Sequence, residues 1–314
     1  MVKESRLMTS YILRRLAVAV PTIFVLIVMT FTLMYAAPGT PFTTERTLPP
    51  EVMANLDAKY GLDRPFVMQL FEYIRGIVVS FDFGPSYFYK DQTVSDILRQ
   101  GFPVTLTYGV WSFVVATVAG VGLGVAAAIY HNTWLDYCAV GVSIGAQVLP
   151  NFVMAPILVL IFTVWLGWLP GGGWNGGQWQ HVVMPVIALA TSFMASIARL
   201  TRSSMLEVMN ADFIRTARAK GLPMRRVVVR HALKPALLPV ISYLGPTFVG
   251  MITGSVVIDV IFSTGGIGGF MVNAAFNRDY PVIMAITVLT GALTILFSLL
   301  VDILYAWIDP KIRY

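Results

Sequence analysis

Charge is what this sequence has least of. Of 314 residues only 12% are Asp, Glu, Lys or Arg, while 57% are hydrophobic, a balance outside that of soluble domains. Cysteine is reduced to Cys138, so no intrachain disulfide can form and no redox compartment can be inferred. The three histidines, at 131, 181 and 231, are too scattered to close a coordination sphere, and no metal is expected. None of the six lysines, at 3, 59, 90, 220, 234 and 311, precedes Ser or Thr. A Walker A phosphate loop is therefore missing, and any ATP chemistry must sit on another chain. The run Gly265-Gly-Ile-Gly-Gly269 also lacks that lysine and reads as a flexible or gating loop, because repeated glycine supplies backbone freedom. Asp259 and Asp302 stand at the edges of apolar runs, where a carboxylate reads as a solvated end-cap. No catalytic pair at membrane depth emerges, so the chain is not expected to be an enzyme. The scarcity of ionisable residues inside the runs also weakens a proton-coupled carrier.

What is present is apolar length. A hydrocarbon core about 30 Å thick needs roughly 20 apolar residues of helix. Leu16 to Ala37 supplies 22 without a charge, after Lys3, Arg6, Arg14 and Arg15. That exceeds the apolar region of a secretory signal and predicts a retained span, with Pro21 as a candidate kink. Gln100 to Tyr130 predicts a second span. Tyr137 to Ala198 carries no charge apart from the usually neutral His181. Its Pro170-to-Gly177 segment divides it into a third and a fourth, and Pro150 is expected to break the third. Pro235 to Ile258 and Tyr280 to Val301 give the fifth and sixth. Between the first two spans, residues 38–100 hold six basic and eight acidic residues and read as a small extramembrane insertion. Within it, Pro50 and Gly61 bracket a short helical pattern with Val52, Leu56 and Tyr60. A second pattern, Phe66, Val67, Leu70, Phe71, Ile74 and Ile77, fits a helix packed on something. The expected fold is an all-α integral membrane protein with six transmembrane helices. It divides into 1–37, the insertion 38–100, and a core of 101–314.

The net charge of +6 is not read as nucleic-acid binding, because the basic residues sort by side of a membrane. Residues 199–234 hold nine Lys or Arg against Glu207 and Asp212, and the amino-terminal segment four against Glu4. Both termini and this loop are thus expected in the cytoplasm, with 38–100 outside. Within the loop, Met205, Met209, Phe213 and Ala217 recur every four residues. This predicts an apolar stripe on one helix, whose other face shows Arg202, Glu207, Arg215 and Arg218. Gly221-Leu-Pro223 ends that helix, and a second one sets Val227 and Val228 against Arg225, Arg226 and Arg230. Such an elbow suits either a groove on a partner protein or anionic lipid headgroups. In the third span, Gln147 and Asn151 flank Pro150. They suit interhelical hydrogen bonding or the lining of a translocation path near a helical break.

Asp212-Phe-Ile-Arg-Thr-Ala-Arg-Ala-Lys-Gly221-Leu-Pro-Met-Arg-Arg, followed by Arg230-His-Ala-Leu-Lys-Pro-Ala-Leu-Leu-Pro239, resembles the cytoplasmic coupling loop of ABC importer permeases of the peptide-transport family. Ala37-Pro-Gly39, Glu45-Arg-Thr-Leu-Pro-Pro-Glu-Val52, Phe81-Asp-Phe-Gly-Pro85, Leu169-Pro-Gly-Gly-Gly-Trp-Asn-Gly176, Asn277-Arg-Asp279 and Ile308-Asp-Pro-Lys-Ile-Arg-Tyr314 extend the similarity to the B-type permeases of bacterial oligopeptide importers. The resemblance implies a type I ABC importer permease fold in the bacterial inner membrane. It also implies a second, C-type permease, two cytoplasmic ATPases holding ATP and Mg, and an extracytoplasmic peptide-binding protein. It assigns coupling to an ATPase to Asp212, Phe213, Arg215, Thr216, Ala217, Arg218 and Gly221. The general importer loop has Glu-Ala-Ala before its glycine, whereas Arg215-Thr216-Ala217 stands here, so a salt bridge from that glutamate is not expected.

The expected function is peptide translocation driven by ATP on partner subunits. Two alternatives stay open at this stage: a secondary transporter or channel working without ATPases, and a non-transporting membrane scaffold.

Overall fold

The computed structural model describes residues 2–37, 55, 61–89 and 91–308. The described chain is helical, its one β-type contact being an isolated bridge between Pro85 and Thr93. The expected helix between Pro50 and Gly61 lies outside the described residues but for Asn55, as does most of the carboxyl-terminal motif.

Helix α1 spans Val2–Ala36 and continues through Pro21. Helix α2 spans Phe66–Ser80 and α3 Val94–Ile129. The latter begins six residues before the charge-free run because Thr93 and Asp96 form a reciprocal capping box that satisfies amide donors of its first turn. Helix α4, Trp134–Val148, is followed by α5, Asn151–Leu158, which winds on as a π-helix over Val159–Trp165. Helix α6 covers Trp179–Met209, α7 Asp212–Ala219, α8 Leu238–Phe262, α9 Ile267–Phe276 and α10 Tyr280–Ile308. Among the described residues five helices are long and apolar enough to cross a membrane, and there are six spans if α4 and α5, bent by 102° at their junction, count as one. The expected break at Pro150 is thus a sharp turn. Proline carries no amide hydrogen and disfavours helix in the residue before it, and Leu149 is extended (ψ 110°).

The core forms where small residues let long helices touch. Ala116, Gly120, Gly124 and Ala128 line one edge of α3 and are buried. A Cβ on Gly120 would lie 2.9 Å from the Ile197 side chain, and one on Gly124 would lie 2.5 Å from the Ala198 carbonyl and from Thr201. Lipid tails are as apolar as leucine, so helices in a bilayer associate through close backbone approach of this kind. Across the bundle, Phe248 of α8 stacks on Phe297 of α10 at 3.7 Å and meets Phe113 of α3 edge-on at 5.2 Å. Helix α1 packs chiefly on α10.

Two local readings are corrected by the fold. The four-residue stripe does not lie on one helix, because the chain breaks at Asn210–Ala211 between α6 and α7. The Gly265–Gly269 run is not a loose loop. Gly265 uses its freedom (φ +75°), but a Cβ on Gly266 would collide with Asp259 and Thr105, and one on Gly268 with the Val256 backbone. Glycine serves there for close approach.

Candidate functional site

The elbow of residues 199–234 is built around a small apolar nucleus of its own. Met205, Ile214, Ala217, Val227, Val228, Ala232 and Ala236 are buried together with Ala128 from the end of α3. Helix α7 contributes Ile214 and Ala217, three positions apart and so on one face. Ile214 was not among the sequence candidates, although its spacing to Ala217 was the available signal. Phe213, expected beside Ala217, points the other way and is 50% exposed. Of the seven residues assigned to coupling, Ala217 faces inward, whereas Asp212, Phe213, Arg215, Thr216, Arg218 and Gly221 face out.

Charges on α7 agree with its dipole, with Asp212 in the first turn and Arg218 in the last. The Arg215–Asp212 pair, 3.6 Å apart and well exposed, adds little. Gly221 adopts φ +75°, and its amide donates to the Arg218 carbonyl at 2.9 Å. A left-handed residue of this kind closes a helix and turns the chain. The return segment runs through a π-helical stretch, Val227–Ala232, into α8. Its Val227 and Val228 are buried while Arg225, Arg226 and Arg230 are exposed, as expected. The result is an exposed cationic surface with one exposed aromatic ring, seated on a buried apolar base.

Arg202 does not belong to that exposed face. Its Nε donates to Asp136 Oδ1 at 2.6 Å and its terminal nitrogen to Oδ2 at 2.7 Å. Asp136 is buried, and it also accepts from the Asn132 amide at 3.0 Å, with His131 Nδ1 3.0 Å away. This bidentate pair ties the α3–α4 turn to the last turns of α6, just ahead of α7. Sequence reading missed it because the partners are 66 residues apart and a lone carboxylate carries no pattern.

At the opposite end of the bundle, Asp259 corrects the end-cap reading, since it is buried and saturated. Its carboxylate accepts from the Tyr108 and Thr264 hydroxyls, from Thr105 at 3.4 Å and from the Gly268 amide at 2.9 Å. Thr105 in turn accepts from the Ile267 amide at 3.0 Å. A second buried carboxylate, Asp279, accepts from the Ser86 hydroxyl and from the amides of Tyr87 (3.1 Å) and Phe88 (3.3 Å). Burial, followed by the negative charge of Asp279, raises the Tyr89 phenol above its ordinary value. These contacts clasp α3, α8, α9 and the 81–93 segment together. The side chain of Asp302 lies outside the described residues.

The candidates for a translocation path separate. Asn151 accepts a hydrogen bond from the Ser192 hydroxyl of α6 at 2.9 Å, as interhelical bonding requires, while Gln147 and Pro150 are exposed.

The family described as binding-protein-dependent transport system inner membrane component matches residues 120–314, and its amino-terminal counterpart matches residues 8–109. The Oligopeptide transport system permease protein OppB of Escherichia coli (strain K12) is 55% identical over 307 residues, 98% of this chain and 100% of the relative. OppB of Haemophilus influenzae is 52% identical over the same shares. The Dipeptide transport system permease protein DppB of Bacillus subtilis is 42% identical over 98% of each chain. Among solved structures, the MetNI methionine ABC transporter in inward-facing conformation aligns with a TM-score of 0.59 at 18% identity, over 68% of this chain and 96% of that one. Its likeness bears on the fold alone. The chain therefore belongs to the family of binding-protein-dependent transport system inner membrane components, as a multi-pass membrane permease with the type I ABC permease fold.

Proposed function

We propose that this chain is the B-type permease of an ATP-driven oligopeptide importer, forming the pathway with a second permease. Two cytoplasmic ATPases, carrying ATP and Mg, act on it through the elbow, and an extracytoplasmic peptide-binding protein delivers the substrate. The observation that carries this reading is identity of 55% along the whole chain to an oligopeptide permease. No phosphate loop is present to power the chain itself, and an exposed cationic elbow is braced by its own core. The apolar base packs Ile214 and Ala217 of α7 with Met205 of α6, Ala128 of α3 and the Val227–Ala232 segment that leads into α8. Movement imposed on α7 would thus reach α3, α6 and α8.

On this reading the basic loop and both termini are cytoplasmic. Residues 38–100 and the Gly265–Gly269 segment are then extracytoplasmic, where a binding protein would arrive. The pathway chemistry is transfer without bond breakage. Copurification with the two ATPases and uptake of labelled oligopeptide by a strain carrying only this B-type permease test the proposal. Gly221→Glu combined with Ala217→Glu should abolish uptake, and full uptake by that variant would refute coupling through the elbow. Peptide movement by the purified chain alone, driven by an ion gradient, would instead establish a secondary transporter.

A further inference from the structure

Helix α2 exposes more apolar surface than a helix bathed in water would keep. At 100° per residue, Phe66, Leu70, Tyr73 and Ile77 share one face, and that face turns to α1. The Phe66 ring lies 5.6 Å from Phe31 and 5.0 Å from Tyr35, and the Tyr73 ring lies 5.6 Å from Phe31. Phe31 and Tyr35 belong to the last two turns of the span Leu16–Ala36. These contacts hold α2 at the depth where the span ends, rather than above it.

A second stripe runs beside the first. Val67, Phe71, Ile74 and Val78 recur at i, i+4, i+7 and i+11, and Val67, Phe71 and Val78 are 73%, 65% and 70% exposed. The remaining arc carries the charges, Glu72 and Arg75 beside Gln69, together with exposed Met68 and Val79, and Arg64 donates to Glu72 at 2.5 Å. The helix has 15 residues, about 22 Å of length, too little to cross a hydrocarbon core of about 30 Å. Met29 and Leu33, exposed on the other side of α1 from Phe31 and Tyr35, face the bilayer in a helix of this length and composition.

We propose that α2 is an interfacial helix lying along the leaflet into which α1 emerges. Its Val67–Phe71–Ile74–Val78 stripe sits among the acyl chains, and Arg75 and the Arg64–Glu72 pair stand at the headgroups. A short helix with one apolar and one charged face takes this position because it buries its stripe while leaving its charges wet, and a long arginine stem can reach the headgroup layer from the boundary. Lipid fits better than a soluble partner, because the contacts with Phe31 set the stripe at membrane depth. The inference rests on α1 being a span, not on the substrate or on the proposed partners.

Spin labels on single cysteines test it, with the full chain in lipid nanodiscs and Cys138 replaced (Cys138→Ser). Labels at Val67→Cys, Phe71→Cys and Val78→Cys should collide with membrane-partitioning oxygen, relative to an aqueous nickel chelate, at least about threefold more than a label at Glu72→Cys on the charged arc. Preferential chelate collisions at the stripe would overturn the proposal by placing it in water. Protection from both probes would overturn it by showing a protein cover, whether residues 38–60 of this chain or another subunit. Three stripe positions are read independently, so the loss of one variant leaves the outcome decided.

Discussion

The two ends of the bundle use polar residues in opposite ways. Around Asp259 and Asp279, carboxylates, hydroxyls and amides face inward and satisfy one another within the chain. Around α7, Arg215, Arg218, Lys220, Arg225, Arg226 and Arg230 face outward, with the exposed Phe213 ring among them. The first end is complete by itself, since buried polar groups are costly unless paired and here they are paired. The second end is complete only in its apolar base. Its outer surface combines an aromatic ring with guanidinium groups, the residue types that dominate binding energy at protein interfaces. Stability should therefore concentrate at one end and partner recognition at the other.

The sharpest way to break this contrast is to remove Asp259. Asp259→Ala strands the hydroxyls of Tyr108 and Thr264 and the Gly268 amide, and should cost at least about 3 kcal/mol, since each unsatisfied buried donor costs about 1–3 kcal/mol. The expected outcome is a large drop in folded protein by thermal unfolding in detergent, with Asp259→Asn clearly milder. Unchanged unfolding in the alanine variant would mean the cluster is not a structural clasp. Next in size is Arg202→Ala. It leaves Asp136 buried without its bidentate partner, and should destabilise by roughly 3 kcal/mol, as breaking one side of a buried pair does. Because this pair lies in the last turns of α6, just ahead of α7, uptake should fall further than the loss of folded protein accounts for, and strict proportionality between the two would remove any role in coupling.

How much of this was legible beforehand divides along the same line. The spans could be read because hydrophobic length is a local property of sequence, and Pro150 and Pro170–Gly177 marked their breaks by backbone chemistry. The outward arginines of the elbow could be read for the same reason, since exposure leaves charge pattern intact. Asp259 and Arg202 could not. Their surroundings are assembled from residues 5 to 154 positions away for Asp259 and 66 away for Arg202, and an isolated charge at a span edge looks the same whether it meets water or a partner. Phe213 was misplaced by a subtler cause. A four-residue rhythm running through Met205, Met209, Phe213 and Ala217 assumes an unbroken helix, and the extended Ala211 (ψ 152°) rotates everything after it, handing the inner position to Ile214.

That rotation supplies the smaller predictions, which sharpen the comparison from the other side. Phe213→Ala should change folding stability by no more than about 0.5 kcal/mol, as surface substitutions do, yet weaken association with the ATPase by about 2 kcal/mol, roughly thirtyfold, if the ring is an interface anchor. Ile214→Ala should do the reverse, lowering stability by about 2–4 kcal/mol because Ile214 is fully buried, so paired pull-down and unfolding measurements would expose an error in either assignment. Smallest of all is Arg215→Ala. Its contact with Asp212 spans 3.6 Å between well-exposed groups, and exposed pairs of that kind contribute roughly 0–1 kcal/mol, so unfolding should not register its loss. Arg215 is well exposed, so a larger effect of its loss must come from a partner's surface. Titrating salt into the pull-down separates the possibilities. A wild-type association that weakens with salt more steeply than that of Arg215→Ala would assign the guanidinium to an acidic site on the ATPase, whereas identical salt slopes would leave Phe213 and the inner packing to hold the elbow in place.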